Sequence, residues 1–301
     1  MAEEKTVTLL DGGMGQELIR RSGCNPTPMW SAQVMLDSPE IVRDLHIDFI
    51  RAGASVITLN AYSATPERLK REASIELFPQ LQPAAIKAAQ AARKQCGEAV
   101  RIAGCLPPLH GSYRPEIAPQ YDESLALYQQ IAQLQAPHVD LFLCETMSSV
   151  KEAKASAIAA LECDKPVWSA LSVDDDGSTN LRSGEPVAEA LTMLHELEVD
   201  AVLLNCSKPE SIDLAWPQLE AYPGITGAYA NGFTSVEALA PGGLVSSIET
   251  RQDLNPEQYA KFAMNWVNRG ATLIGGCCEI GPEHIHFLHH QLVSAGYLPP
   301  S

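Results

Sequence analysis

Three of the eight cysteines stand where a metal ion could be bound. Cys206 follows an apolar run at 200–204, and Cys277 and Cys278 follow another at 271–274. Zinc accepts thiolate ligands at about 2.3 Å in a tetrahedral arrangement, and catalytic zinc sites keep a fourth position open beside three protein ligands. Three soft thiolates suit zinc and a sulfur-containing substrate. The residue types therefore predict a catalytic zinc site formed by these three cysteines.

Other interpretations of the cysteines stay open at this point. A free cysteine at the end of an apolar strand is commonly a small buried side chain, and adjacent cysteines can form a strained disulfide or cycle in redox chemistry. Gly275 and Gly276 precede the pair, and we expect them to let the backbone turn tightly enough for both thiols to reach one ion. The five remaining cysteines are expected to be packing residues: Cys24, Cys96, Cys105, Cys144 and Cys163.

Eight apolar, β-rich runs recur along the chain and predict eight strands. They are 6–10, 55–59, 101–105, 140–144, 166–173, 200–204, 225–229 and 271–274. Helical periodicity between them predicts helices at 39–52, 83–94, 123–135, 150–161, 187–197, 211–219, 256–268 and 283–293. The segment 63–83 is expected to be a lid or a surface decoration.

Strands that alternate with helices indicate parallel strands joined by right-handed crossovers. Eight such units predict a single-domain (β/α)8 TIM barrel over residues 1–301, and an open doubly wound sheet is the alternative. Active sites of such barrels form where the strands end at their carboxyl face. Further polar residues and one glycine follow predicted strands and should join the cysteines there: Asp11, Gly12, Asn60, Glu145 and Asn231.

Composition restricts the class of partner. The formal net charge of −16 would repel nucleic acids and anionic membranes. The apolar runs are too short to cross a bilayer, and the first residues lack the basic start and apolar stretch of a secretion signal. We therefore expect a cytoplasmic protein in a reducing compartment, with free cysteines. Small molecules are the expected partners.

The motifs, taken in order, resemble those of the homocysteine S-methyltransferase family over nearly the whole chain. The matching segments are 10–18, 30–32, 46–53, 62–66, 144–146, Asn205 and Cys206 with Pro209, and 275–278 with Pro282, His284 and Ile285. The resemblance implies a barrel enzyme that binds zinc through the three cysteines and methylates homocysteine to give methionine. It also implies that Asp11 and Glu145 contact homocysteine, with the backbone near Gly12 assisting, because a substrate ammonium group needs anionic partners.

Two loops depart from the family pattern, and both should border the methyl-donor side of the site. They are residues 105–111 after the third predicted strand and 229–233 after the seventh. An acidic site favours an onium donor such as S-methylmethionine or S-adenosylmethionine, which Trp30, Tyr62 or Phe233 could stabilise through aromatic contacts. The alternatives are a zinc enzyme that methylates another thiol or a selenol, and a non-catalytic zinc or redox protein.

Overall fold

The computed structural model describes residues 6–23, 25–97, 99–239 and 248–298, so Cys24 lies outside the described residues. Its strands are β1 (Thr8–Leu9), β2 (Val56–Thr58), β3 (Arg101–Leu106), β4 (Leu141–Met147), β5 (Val167–Leu171), β6 (Ala201–Asn205), β7 (Ile225–Tyr229) and β8 (Leu273–Ile274). Its α-helices are α1 (Met14–Ser22), α2 (Ser31–Asp37), α3 (Pro39–Arg51), α4 (Pro66–Glu72), α5 (Phe78–Cys96), α6 (Tyr121–Gln135), α7 (Val150–Leu161), α8 (Val187–Glu196), α9 (Pro209–Glu220), α10 (Pro256–Asn268) and α11 (Pro282–Ser294).

The strands form a closed parallel barrel, which confirms the predicted fold and not the open sheet. The hydrogen-bonded order is β1-β8-β7-β6-β5-β4-β3-β2. A parallel bridge between Leu10 and Val56 joins the end of β1 to β2, and the Asp11 N–H donates to the Val56 carbonyl at 3.0 Å. β7 is the single strand between β6 and β8, so the loops that follow those two strands lie close together.

Side chains inside the barrel form a separate core from those between strands and helices. Leu141 and Leu203 belong to the inner core, whereas their neighbours Phe142 and Val202 pack in the larger outer core. This alternation follows from the two-residue period of a β-strand. Because both faces are covered, the strands read as continuous apolar runs, which is why the sequence predicted them. The inner core ends at Cys206, Tyr229 and Cys277.

The helices agree with the sequence predictions except around the first two strands. The patterns did not predict α1 and α2, two short helices between β1 and α3, or α4 between β2 and α5. Proline inside a helix normally marks a break, yet α5 begins before Pro83, and α9 continues through Pro217. The segment 63–83 is not only a surface insertion, because its helix α4 contributes Arg68 to the wall of the main cavity.

One buried histidine contributes to the pH dependence of the unfolding free energy. His46 on α3 is fully buried, neither ring nitrogen has a hydrogen-bond partner, and burial lowers its pKa to about 4. As the pH falls from about 6.5 towards 4, the unfolded chain binds a proton that the folded chain excludes. His46 by itself therefore lowers the free energy of unfolding by about 2 kcal/mol between pH 7 and pH 5. Carboxyl groups whose pKa burial raises, such as Asp11 and Glu145, act in the opposite direction over the same window.

We expect His46→Leu to remove this dependence. Urea unfolding at pH 7 and pH 5 should show that acidification changes the unfolding free energy of His46→Leu by about 2 kcal/mol more favourably than that of the unsubstituted protein. His290→Leu on the exposed side of α11 is the matched control, and it should keep the original dependence. An equal change of unfolding free energy between pH 7 and pH 5 in the proteins with and without His46 would contradict the prediction.

No helix in the described ranges combines the length and apolar character that a membrane crossing needs.

Candidate active site

The three predicted metal ligands meet at the carboxyl end of the barrel. Their sulfur atoms lie within 4.8 Å of one another, and the Sγ atoms of Cys206 and Cys278 are 3.9 Å apart. Cys206 follows β6 directly, while Cys277 and Cys278 follow β8. All three are free thiols, and within the described residues they form a group able to hold a metal ion. The convergence that the sequence predicted is therefore observed.

Cys206 has an unusual backbone conformation that directs its thiol towards the other two. Its φ is 51°, a left-handed value that costs a residue other than glycine about 1–3 kcal/mol. Three hydrogen bonds hold it there: its N–H donates to the Tyr229 carbonyl at 3.1 Å, and its carbonyl accepts from Asn231 Nδ2 at 2.9 Å and Arg182 Nη2 at 3.4 Å. Strain of this kind concentrates at functional sites, where the surrounding structure imposes it.

Glycines allow two loops to approach the cysteine pair closely. A Cβ at Gly13 would lie 2.5 Å from the Cys277 carbonyl oxygen, and one at Gly12 would lie 2.1 Å from the Ile280 carbonyl oxygen. Gly276 would place a Cβ 2.2 Å from the Ile280 side chain. Neither Gly275 nor Gly276 has a positive φ, so the reason expected for these glycines was wrong. They are needed for close packing and not for a tight turn.

Without a metal ion, the cluster favours one thiolate. The Tyr113 hydroxyl lies 3.1 Å from Cys206 Sγ. Burial raises the pKa of Cys206, but hydrogen bonds from Cys277, Cys278 and Tyr113 outweigh this effect and hold the pKa well below its usual value. Burial and the neighbouring Cys206 raise the pKa of Cys277, and the hydrogen bond with Cys206 raises that of Cys278. A cation at the centre would allow all three thiols to ionise.

Asp11 lies beside the cluster at the end of β1 and lines the same cavity. It is 5% exposed, and its carboxylate accepts hydrogen bonds from the Thr58 N–H at 2.8 Å and from Thr58 Oγ1 at 3.3 Å. Burial raises its pKa to about 7, against the effect of these hydrogen bonds. No lysine or arginine of the described chain pairs with it, so the group lacks a cationic partner.

Glu145 is the second acidic group of the cavity. Its Oε1 accepts a hydrogen bond from the Cys105 thiol at 3.0 Å. Burial raises its pKa to about 8, opposed by this hydrogen bond, and the charges of Cys206 and Asp11 raise it further. Cys105 packs in the core as expected, and its thiol in addition orients the Glu145 carboxyl group. A buried and a half-buried carboxyl group in one cavity have the charge and position that a cationic ligand would need.

An irregularity in β4 directs Glu145 into the cavity. The register between β4 and β5 shifts between Cys144 and Met147, and Thr146 has a φ of 63°. Asn205 holds this conformation from β6: its Oδ1 accepts from the Thr146 N–H and its Nδ2 donates to Thr146 Oγ1, both at 3.0 Å. Bulges commonly redirect side chains next to active sites. Asn205 therefore holds the segment that carries Glu145, and it directly precedes Cys206 in the chain.

The other predicted site residues take different positions. Asn60 and Gly12 line the cavity with Asp11 and Glu145, and Asn60 Nδ2 donates to the Ser31 carbonyl at 3.4 Å. Asn231 is fully buried. Besides its bond to the Cys206 carbonyl, its Oδ1 accepts from the Phe233 N–H at 3.1 Å. These contacts give Asn231 a role in positioning the cysteine loop, and a direct substrate contact from it stays a prediction.

Aromatic rings and the segment 63–83 complete the wall. Trp30, Tyr62 and Phe233 all line the cavity, and the rings of Trp30 and Tyr62 meet edge to face at 6.1 Å. The guanidinium of Arg68 lies over the Tyr62 ring, 5.2 Å from its centroid. The Tyr62 ring already contacts a cation, so of these three rings Trp30 and Phe233 are the candidates for contact with a cationic ligand.

Comparison with known proteins agrees with this architecture. The family model described as homocysteine S-methyltransferase matches residues 8–292. A homocysteine S-methyltransferase of Escherichia coli is 29% identical over 308 residues, which cover 95% of each chain. A selenocysteine methyltransferase of Astragalus bisulcatus is 26% identical over 327 residues, covering 97% of this chain and 94% of that protein.

A solved structure matches the fold over nearly its whole length. The crystal structure of the homocysteine methyltransferase MmuM from Escherichia coli, in its metallated form, superimposes with a TM-score of 0.79 at 26% identity. The match covers 96% of this chain and 97% of that one. The barrel and these relatives define a methyltransferase enzyme. The chain belongs to the homocysteine S-methyltransferase family.

Proposed function

We propose that the protein transfers a methyl group from an onium donor to the thiol of homocysteine, which gives methionine, and that it uses zinc to do so. The observation that carries this proposal is the juxtaposition of three free thiols with the carboxyl groups of Asp11 and Glu145 in one cavity. We further propose that residues 1–301 act as one domain. The cytoplasm is the compartment we propose, because the cluster needs reduced cysteines.

The donor set of the cluster fits zinc. Cys206, Cys277 and Cys278 offer three sulfur ligands within 4.8 Å of one another, and three thiolates with an open fourth position match a catalytic zinc site. Bound there, zinc would lower the pKa of a substrate thiol and so supply the thiolate nucleophile at neutral pH. The Tyr113 hydroxyl, 3.1 Å from Cys206 Sγ, would hold that ligand sulfur in place.

Asp11 and Glu145 would bind the ammonium group of homocysteine. Asp11 is buried and Glu145 is half-buried. Neither has a cationic partner in the described chain, and an ammonium ion would favour their ionised forms. The carboxylate of homocysteine would lie at the amino end of α1, near Gly12 and Gly13, where no side chain caps the helix. Backbone N–H groups and the helix dipole favour an anion at that position. These contacts would orient the sulfur towards the cysteine cluster.

The methyl donor would occupy the remainder of the cavity. Trp30 and Phe233 line it, and their faces could stabilise a sulfonium or ammonium centre while they exclude water. The homocysteine sulfur forms its new bond to the methyl carbon as the bond between that carbon and the onium atom breaks. The electron pair of the broken bond stays with the donor, which leaves as a neutral thioether or amine. Orientation of the two substrates is the main contribution of the chain.

A selenol is the second candidate acceptor. A selenocysteine methyltransferase is 26% identical to this chain over 97% of its length, and the soft cluster suits selenium as it suits sulfur. An assay that offers homocysteine or selenocysteine with each donor would separate the two.

The decisive experiment is a methyl-transfer assay on the zinc-loaded protein. We expect methionine to form from homocysteine with S-methylmethionine or S-adenosylmethionine, and we expect the activity to disappear when a chelator removes zinc. Mass spectrometry of the product and metal analysis of the protein measure the two results. Zinc binding without turnover on any donor, or a reversible Cys277–Cys278 disulfide without a need for zinc, would support the non-catalytic alternative.

A further inference from the structure

Arg68 places a positive charge in the cavity, and nothing in the proposed mechanism uses it. It lies on α4 and lines the cavity that also contains Asp11, Glu145 and the cysteine cluster. α4 is fixed to the loop after β3, because Thr65 Oγ1 caps the helix by accepting from the Arg68 N–H at 3.4 Å and donates to the Leu109 carbonyl at 3.0 Å. The position of the helix is therefore set by the same loop that departs from the family pattern.

The guanidinium itself is held in one orientation. Its Nε donates to the Pro108 carbonyl at 3.3 Å and its Nη2 donates to Ser112 Oγ at 3.0 Å. Its plane lies over the Tyr62 ring, whose hydroxyl is 2.8 Å from the same Ser112 Oγ. Arginine loses little further entropy when it binds a ligand from such a fixed position.

No carboxylate neutralises Arg68 in the described part of the chain. The two acidic residues of its own helix pair elsewhere: Glu72 forms an ion pair with Arg71, and Glu67 lies 3.3 Å from His110 Nε2. The hydrogen bonds of Arg68 go to neutral oxygens only, and its Nη1 has no acceptor among the described residues. A guanidinium with free donors that lines a ligand cavity is a site for a carboxylate or another planar anion.

We propose that Arg68 binds a carboxylate group of the methyl donor and thereby selects donors that carry an anion besides the onium centre. This inference rests on the proposed function. The carboxylate of homocysteine would lie at the amino end of α1, so the carboxylate of the donor would need a partner of its own. A donor with only positive charge would meet unfavourable interactions with Arg68, so the site selects zwitterionic donors.

The test compares S-methylmethionine with its methyl ester, which lacks the carboxylate charge. Each compound is titrated calorimetrically into the zinc-loaded protein without homocysteine, so binding is measured apart from turnover. We expect the unsubstituted protein to bind the acid about ten- to a hundredfold more tightly than the ester. Arg68→Gln should reduce this preference to about twofold or less, and Arg68→Lys should keep part of it.

Arg71→Gln is the matched control. Arg71 lies on the same helix and lines the same cavity, but Glu72 and the His110 carbonyl occupy its guanidinium. The control protein should keep the preference for the acid. An Arg68→Gln protein that still prefers the acid as strongly as the unsubstituted protein would overturn the inference and leave the proposed reaction standing. Loss of the preference without methyl transfer to homocysteine in any protein would support the inference and overturn the reaction.

Discussion

Replacement of Cys277 with serine is expected to abolish zinc binding and methyl transfer together. A serine hydroxyl is a hard ligand that stays protonated near neutral pH, so the soft three-sulfur set would lose a member. Loss of residues that merely support metal ligands commonly costs about 10- to 100-fold in metal affinity, so removal of a ligand should cost more than about 100-fold. Cys206→Ser and Cys278→Ser should have the same effect, because the three sulfur atoms all lie within 4.8 Å of one another.

Metal analysis and the methionine-forming assay measure the two effects on the same preparations. Cys96→Ser is the control, since Cys96 is a free cysteine at the end of α5, outside the cavity lining. It should retain zinc and activity. Full methyl transfer by a Cys277→Ser protein without zinc would exclude the proposed role of the cluster. Retained zinc with lost activity would instead show that Cys277 acts on the substrate and not on the metal.

Asp11→Asn and Glu145→Gln are expected to weaken homocysteine binding while the metal remains. Each substitution removes one negative charge and keeps the shape of the side chain. The new amide oxygen could still accept from the Thr58 N–H in the first variant and from the Cys105 thiol in the second. Hydrogen bonds to a charged group are worth about 1.5–3 kcal/mol. The homocysteine kcat/KM should therefore fall by roughly 10- to 100-fold in each protein.

The donor KM and the zinc content should change little in these two variants. Glu72→Gln is the matched control, because Glu72 lines the same cavity but forms an ion pair with Arg71. It should leave the homocysteine KM near its original value. A rise in the donor KM alone would assign the two carboxyl groups to the onium centre, and unchanged kinetics would remove them from the binding site.

The sequence predicted the barrel because its strands are buried on both faces. Runs such as 140–144 and 200–204 are largely apolar, and parallel strands covered inside and outside read in this way. The convergence of Cys206 with Cys277 and Cys278 then followed from strand order alone, since all parallel strands end at one face. These predictions needed no knowledge of loop conformation.

Contacts between loops could not be derived in the same way. The Tyr113 hydroxyl and Cys206 Sγ belong to residues 93 positions apart, and the Cys105 thiol and Glu145 are 40 apart. No periodic pattern connects such residues. The departure of residues 105–111 from the family pattern was the available signal, because this segment contains Cys105 at the end of β3 and the loop that fixes α4 and Arg68.

The close contact between Gly13 and the Cys277 carbonyl limits how this enzyme could be redesigned. A side chain at Gly13 would displace the backbone that carries Cys277 and Cys278. A substitution at Gly13 that aims to admit a bulkier nucleophile would therefore also disturb the loop proposed to bind the metal. Altered donor preference is the more accessible goal, because Arg68 lies on α4, which takes no part in this contact. Libraries that vary α4 and keep Gly12, Gly13, Gly275 and Gly276 unchanged should therefore contain more folded, metal-binding proteins than libraries that vary these glycines.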